Sequence, residues 1–220
     1  MTYKFLDMAT TPSVKAAQEA NGAGAYWAGF RGERMFDRFT EAEAAFIAAR
    51  DSFYMATVSE SGWPYVQHRG GPPGFLRVLD ETTLGFADFR GNRQYISVGN
   101  IAADDRVSLI LMDYAGRRRL KIFAHMEVRD LADDPELAEK LGTPGYKAKV
   151  ERALILKLEA FDWNCPQHIT PRYTDTELEG ALAPVRRHIQ ALEAENAALR
   201  EKLAALAVGG AKDEGRDAGG

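Results

Sequence analysis

Seven side chains able to hold an anion crowd the middle of the sequence: Gln67, Arg69, Arg90, Arg93, Gln94, Arg119 and Lys121. A phosphate group needs donors of this kind, because charge-assisted hydrogen bonds are roughly twice as strong as neutral ones. Gly91-Asn92-Arg93 stands where a helix can open, and a helix start adds unpaired backbone N–H groups and the positive end of the dipole. Gln67 and Arg69, two residues apart, share one face of a strand, while His68 between them faces the other way and reads as structural. Spacing alone leaves a plainer reading open, in which Arg117, Arg118 and Arg119 solvate a hairpin turn and Arg90 and Arg93 flank a loop.

Other chemistries find no entry point. His68, His125, His168 and His188 show neither HExxH nor cysteine-containing metal spacing. No GxSxG, Walker loop or GxGxxG follows a strand, so hydrolase, P-loop and Rossmann readings are excluded. The single cysteine, Cys165, cannot close an internal disulfide, and a reducing compartment fits it. A lone cysteine ordinarily serves as a small buried hydrophobe, with a redox thiol as the alternative.

The elements that must position these groups are mainly β. Thr11-Pro12 opens a short helix that runs through Val14 to Ala20, and Thr40 with Glu43 forms a capping box for a second that stops at Asp51-Ser52. Strands are then expected at Phe53–Ser59, Trp63–Arg69, Phe75–Leu79, Thr83–Ala87, Val107–Tyr114, Leu120–Val128 and Ala153–Phe161. A short helix is expected over Arg93–Ala103 and helical structure between Leu131 and Tyr146. About six short strands with few helices between them predict an antiparallel, nearly closed barrel rather than a parallel sheet.

Composition supports a folded body. The 220 residues are 45% hydrophobic and 10% aromatic, enough for a core, and a net charge of -4 supplies no global field for a polyanion, so nucleic acid is not an expected partner. Met1 to Thr11 lack an apolar run and nowhere do about 18 apolar residues follow one another, so a cytoplasmic protein without membrane association is expected.

The last quarter differs in kind. Ile189, Asn196 and Leu203 fall at heptad position a, and Val185, Leu192, Leu199 and Leu206 at d. A parallel two-stranded coiled coil is expected, with Glu195 at g meeting Arg200 at e of the other copy; an amphipathic helix packed on its own domain is the plainer alternative. A basic-region DNA binder is excluded, because residues 173–179 are net acidic and Pro184 interrupts the helix. The glycine-rich Gly209 to Gly220 reads as disordered.

Three stretches carry a resemblance: Gly62-Trp63-Pro64-Tyr65-Val66-Gln67-His68-Arg69-Gly70-Gly71-Pro72-Pro73-Gly74-Phe75-Leu76-Arg77-Val78-Leu79, then Phe86-Ala87-Asp88-Phe89-Arg90-Gly91-Asn92-Arg93-Gln94, then Asn100-Ile101 with Arg119-Leu120-Lys121-Ile122-Phe123. Over roughly residues 40–173 the chain resembles the pyridoxamine 5'-phosphate oxidase-like split-barrel family, in its predicted flavin-nucleotide-binding branch. The resemblance implies a six-stranded antiparallel split β-barrel that dimerises, with FMN in each of two clefts at the subunit interface. It implies that Gln67 and Arg69 run beside the flavin and that Asn92, Arg93 and Gln94 stand at its phosphate, where Gln94 replaces a family lysine and Arg90 or Lys121 compensates. Arg119 and Lys121 would lie on the strand beneath the flavin, and Trp163 and Arg172 on a segment reaching the other subunit's flavin.

What the resemblance implies for activity is an FMN-dependent oxidoreductase working on a small organic substrate or NAD(P)H. Where oxidases of pyridoxamine phosphate have Arg-x-His, this chain reads His168-Ile169-Thr170, so that vitamer is not the expected substrate. A deazaflavin cofactor, a heme, or a flavin held without turnover are the alternatives. The expected organisation is an N-terminal helical extension over residues 1–39, the flavin-binding barrel over 40–173, a coiled-coil helix over 174–208 and a tail over 209–220.

Overall fold

Alternation of apolar and polar residues dictates the centre of the fold. The computed structural model describes residues 3–31, 35–164 and 166–213. Its strands are β1 (Ser52–Val58), β2 (Pro64–Gly70), β3 (Arg77–Asp80), β4 (Thr83–Phe89), β5 (Arg106–Asp113), β6 (Arg118–Arg129) and β7 (Val150–Asn164). Every second residue of the β5–β6 hairpin, including Leu109, Leu111, Leu120 and Ile122, turns inward and is buried. All pairings are antiparallel, in the order β2-β1-β5-β6-β7-β4-β3.

Each of the seven spans expected from sequence holds a strand, one more than the six of the expected barrel. The third is shortened: Pro72 and Pro73, which donate no backbone hydrogen bonds, delay β3 to Arg77, leaving a four-residue edge strand. Phe75 and Leu76, expected within that strand, instead plug the core. Among the described residues no backbone pairing joins β2 to β3 or β4, so the barrel is split along that seam. A side-chain bridge crosses it: Arg69 on β2 donates to Asp88 on β4 at 2.7 Å.

The interior is filled by Phe53, Met55, Phe86, Leu154 and Phe161, each at most 1% exposed and each worth about 1.5–3 kcal/mol of burial. Among the described residues the helices are α1 (Lys4–Ala9), α2 (Pro12–Ala20), α3 (Gly24–Gly29), α4 (Glu41–Ala48), α5 (Ile96–Ala103), α6 (Pro135–Leu141) and α7 (Asp175–Asp213). The Thr40/Glu43 capping box forms as the spacing predicts, and Thr11 caps α2 at Pro12. The two short helices α1 and α3 escape sequence reading, since six residues are too few to show a period. Phe5 of α1 stacks on Phe123 at 4.3 Å, covering the outer side of β6. Leu137 and Leu141 of α6 pack with Ala87, Ala153 and Ile155. Gly85 permits this approach, because a Cβ there would lie 2.9 Å from Leu79 and 3.1 Å from Leu141.

The chain divides into two compact units, one reaching Pro171 and one starting at Arg172. In the second, Thr174 and Glu177 cap α7, with the Thr174 N–H donating to Glu177 at 2.8 Å. The helix runs through Pro184, which was expected to interrupt it. It also continues over 209–213, which composition had assigned to a disordered tail. Cys165 and residues 214–220 lie outside the described residues. No described helix is long and apolar enough to cross a membrane.

Candidate functional site

Edge strand β2 aims half of its side chains at the seam. Register fixes which half: Arg69 lies opposite Phe53, Gln67 opposite Met55 and Tyr65 opposite Thr57, all of them on the core-facing side of β1. His68 and Val66 face outward, as alternation required. Tyr65, Gln67 and Arg69 form one wall of a cleft of about 210 Å³. The other walls are Asp88 and Phe89, the Gly91–Tyr95 loop, the first turn of α5 and Glu151.

Two buried carboxylates organise the cations around this cleft. Asp88, 5% exposed, accepts from Arg69, and the Nε of Arg152, its direct neighbour in the β4–β7 ladder, lies 3.4 Å from its other oxygen. The Nε–H groups of both arginines are nevertheless buried with no hydrogen-bond partner. A buried donor left in that state costs about 1–3 kcal/mol. Glu151 accepts from Arg90 Nε at 2.7 Å, from the Tyr95 hydroxyl at 3.2 Å and from Arg152 at 3.3 Å. The Arg90 hydrogen bond chiefly holds the Glu151 carboxyl below the usual carboxylate range, against burial. Four arginines, with Arg93, against two carboxylates leave the surroundings net cationic.

The loop between β4 and α5 is strained. Asn92 Oδ1 accepts the Gln94 N–H at 3.1 Å, and both Arg93 (φ 61°) and Tyr95 (φ 50°) adopt the left-handed conformation. Such residues cost of order 1–3 kcal/mol each and gather at ligand sites. The strain moves the helix start from the expected Arg93 to Ile96, so the unpaired N–H groups at the cleft are those of residues 96–98. Ser97 donates to Gln67 Oε1 at 2.9 Å and Asn100 to Thr57 at 2.9 Å, which fastens α5 over the inner face of β1 and β2. Arg93 itself is exposed and has no ion-pair partner among the described residues.

Of the residues singled out from sequence, Gln67, Arg69, Asn92, Arg93 and Gln94 come together here, and Arg90 stands behind them on Glu151. Arg119 and Lys121 do not: they lie on the outer side of β6, where Lys121 pairs with Asp162 at 2.6 Å and sits 4.9 Å from the Phe5 ring. Arg119 shares that face, its Nε buried and unpartnered. Trp163 donates its indole N–H to the buried Glu43 at 2.8 Å and packs edge-on against Phe46. Arg172 belongs to the second unit.

Tyr65, Asp88, Tyr95, Ser97, Glu151 and Arg152 were not anticipated. Tyr65 was readable by continuing the two-residue period from Arg69 and Gln67, and Asp88 as the lone acid among apolar strand residues. Glu151 and Arg152 reach the site only through the β4–β7 pairing, which leaves no local trace. None of the described lining residues is a histidine, and no group of three metal-ligating side chains occurs among the described residues.

The sequence profile described as pyridoxamine 5'-phosphate oxidase matches residues 39–161, more than half of the chain. The chain belongs to that family of split barrels. No curated protein matches significantly. Similar solved structures include a candidate pyridoxamine 5'-phosphate oxidase of Lactobacillus delbrueckii, at 22% identity over 57% of this chain and 94% of that one, with a TM-score of 0.43. An FMN-binding protein of Syntrophomonas wolfei matches at 14% identity over 67% and 97%, TM-score 0.41. An F420 reductase matches at 18% over 56% and 98%, TM-score 0.41.

Proposed function

We propose that the split-barrel cleft binds FMN by its phosphate and that the protein is an FMN-dependent oxidoreductase acting on a small organic substrate or NAD(P)H. The observation carrying this reading is Arg69: a nearly buried cation at the barrel seam, anchored on Asp88 by one nitrogen and leaving its Nε–H unpaired. An acceptor is what its Nε–H lacks. Arg93 on the strained loop and the N–H groups opening α5 supply further donors of the same sign, and family membership points the same way.

In this reading Arg69 and Arg93 neutralise the phosphate, Gln67 and Ser97 orient the chain that follows it, and Tyr65 offers a ring edge to the flavin. The flavin, once bound, supplies hydride exchange with the substrate, which is why no side-chain nucleophile is needed. The cleft of about 210 Å³ falls short of the roughly 300–1,000 Å³ of ordinary small-molecule sites, which supports a homodimer in which a second copy completes the wall. The outer face of β1 and β2, with Tyr54, Val58 and Val66 each at least 39% exposed, is the apolar surface offered for that contact.

Titration of the cofactor-stripped full chain with FMN and with riboflavin tests the assignment. Two arginine contacts at about 1.5–3 kcal/mol each predict FMN binding at least about 100-fold tighter than riboflavin. Replacing Arg93 by alanine should weaken FMN by about 1 to 3 kcal/mol and leave riboflavin unchanged. Equal affinities for the two ligands would remove the phosphate from this cleft.

A further inference from the structure

The helix α7 presents an apolar stripe that nothing in its own unit covers. Its a and d side chains are exposed, from 43% at Leu178 to 66% at Leu203. A helix of 39 residues draws most of its stability from packing of such a face, so the stripe calls for a partner. Because the helix continues through Pro184, the heptad pattern extends one repeat further than the sequence suggested: Leu178 falls at d and Leu182 at a. Pro184 occupies position c, which keeps its ring off the seam.

We infer that α7 pairs with α7 of a second copy as a parallel, in-register two-stranded coiled coil spanning Leu178 to Leu203. One observation selects that occupant and a second agrees with it. Asn196 is the polar residue at an a position, and only in the parallel register do the two amides meet; in an antiparallel pair each faces a d-position leucine and loses its hydrogen bonds. The flanking charges fit this register too, with Glu195 at g meeting Arg200 at e of the other copy. The pairing is isologous, with its two-fold axis along the coil, the symmetry of an ordinary homodimer.

Cysteine cross-linking of the full chain tests this independently of the flavin cleft. Leu199→Cys, at d, should give several-fold more disulfide-linked dimer than the unmodified chain, whereas Ala197→Cys, at b, should not. In the Leu199→Cys background, Glu195→Arg should lower the linked fraction and adding Arg200→Glu should restore it. FMN affinity should stay unchanged throughout. Linking at 199 no greater than at 197, or loss at Glu195→Arg without rescue, overturns the parallel pairing and leaves the flavin assignment standing.

Discussion

The cleft at the barrel seam and the outer face of β6 both hold the cationic groups that a phosphate would want, yet they use them differently. In the cleft Arg69 is fastened at one nitrogen and Arg93 at none, so donors remain. On the outer face Lys121 is paired with Asp162 beneath the Phe5 ring, while Arg119 keeps its Nε–H buried and unpartnered; on the core side the Trp163 indole is taken by Glu43. Residue type alone nominates both regions. What separates them is that the cleft adds an exposed cation without an ion-pair partner among the described residues, Arg93, and the free N–H groups opening α5, whereas the outer face has its lysine already neutralised.

The sharpest test of that difference is Asp88→Ala, which leaves Arg69 and Arg152 buried without their shared carboxylate. It should cost about 3–5 kcal/mol in urea denaturation. Asp162→Ala should cost clearly less, since its lysine partner is 31% exposed. Equal losses would mean that the seam holds no special charge cluster. Arg69→Ala should weaken FMN binding by about 1.5–3 kcal/mol, or roughly 10- to 150-fold, while Lys121→Ala should leave it within about threefold in the same titration.

Trp163→Phe separates support from binding. It leaves one oxygen of the buried Glu43 without its indole donor, so stability should fall by about 1–2 kcal/mol while FMN affinity stays constant. The smallest effect concerns Glu151. Its folded-state pKa lies below the ordinary glutamate range, so its stabilising contribution is present above that range and is lost as pH falls through the lowered value. The melting-temperature gap between the natural chain and Glu151→Gln should therefore be flat from about pH 8 to 6 and close towards about pH 4 and below. A gap that widens in acid would show that Arg90 does not depress this carboxyl.

Sequence reading succeeded where chemistry is local. The Thr40/Glu43 box, the β5–β6 hairpin and the shared face of Gln67 and Arg69 all follow from spacings of two to four residues. It missed what depends on long-range pairing: Arg152 meets Asp88 only across the β4–β7 ladder, and nothing near either residue announces the other. The loop before α5 deceived for another reason. Gly91-Asn92-Arg93 looks like a helix opening, but the Asn92 side chain takes the Gln94 N–H and postpones the helix by three residues. Lys121 and Trp163 looked available because a one-dimensional pattern cannot show that Asp162 and Glu43 already occupy their donors.

The most direct measurement is the visible spectrum of the purified full chain, followed by equilibrium dialysis against FMN. The expected result is a yellow protein, or a colourless one that takes up FMN to one molecule per chain, with uptake lost in Arg69→Ala. A colourless protein that retains no FMN in dialysis would contradict the assignment of the cleft to a flavin phosphate.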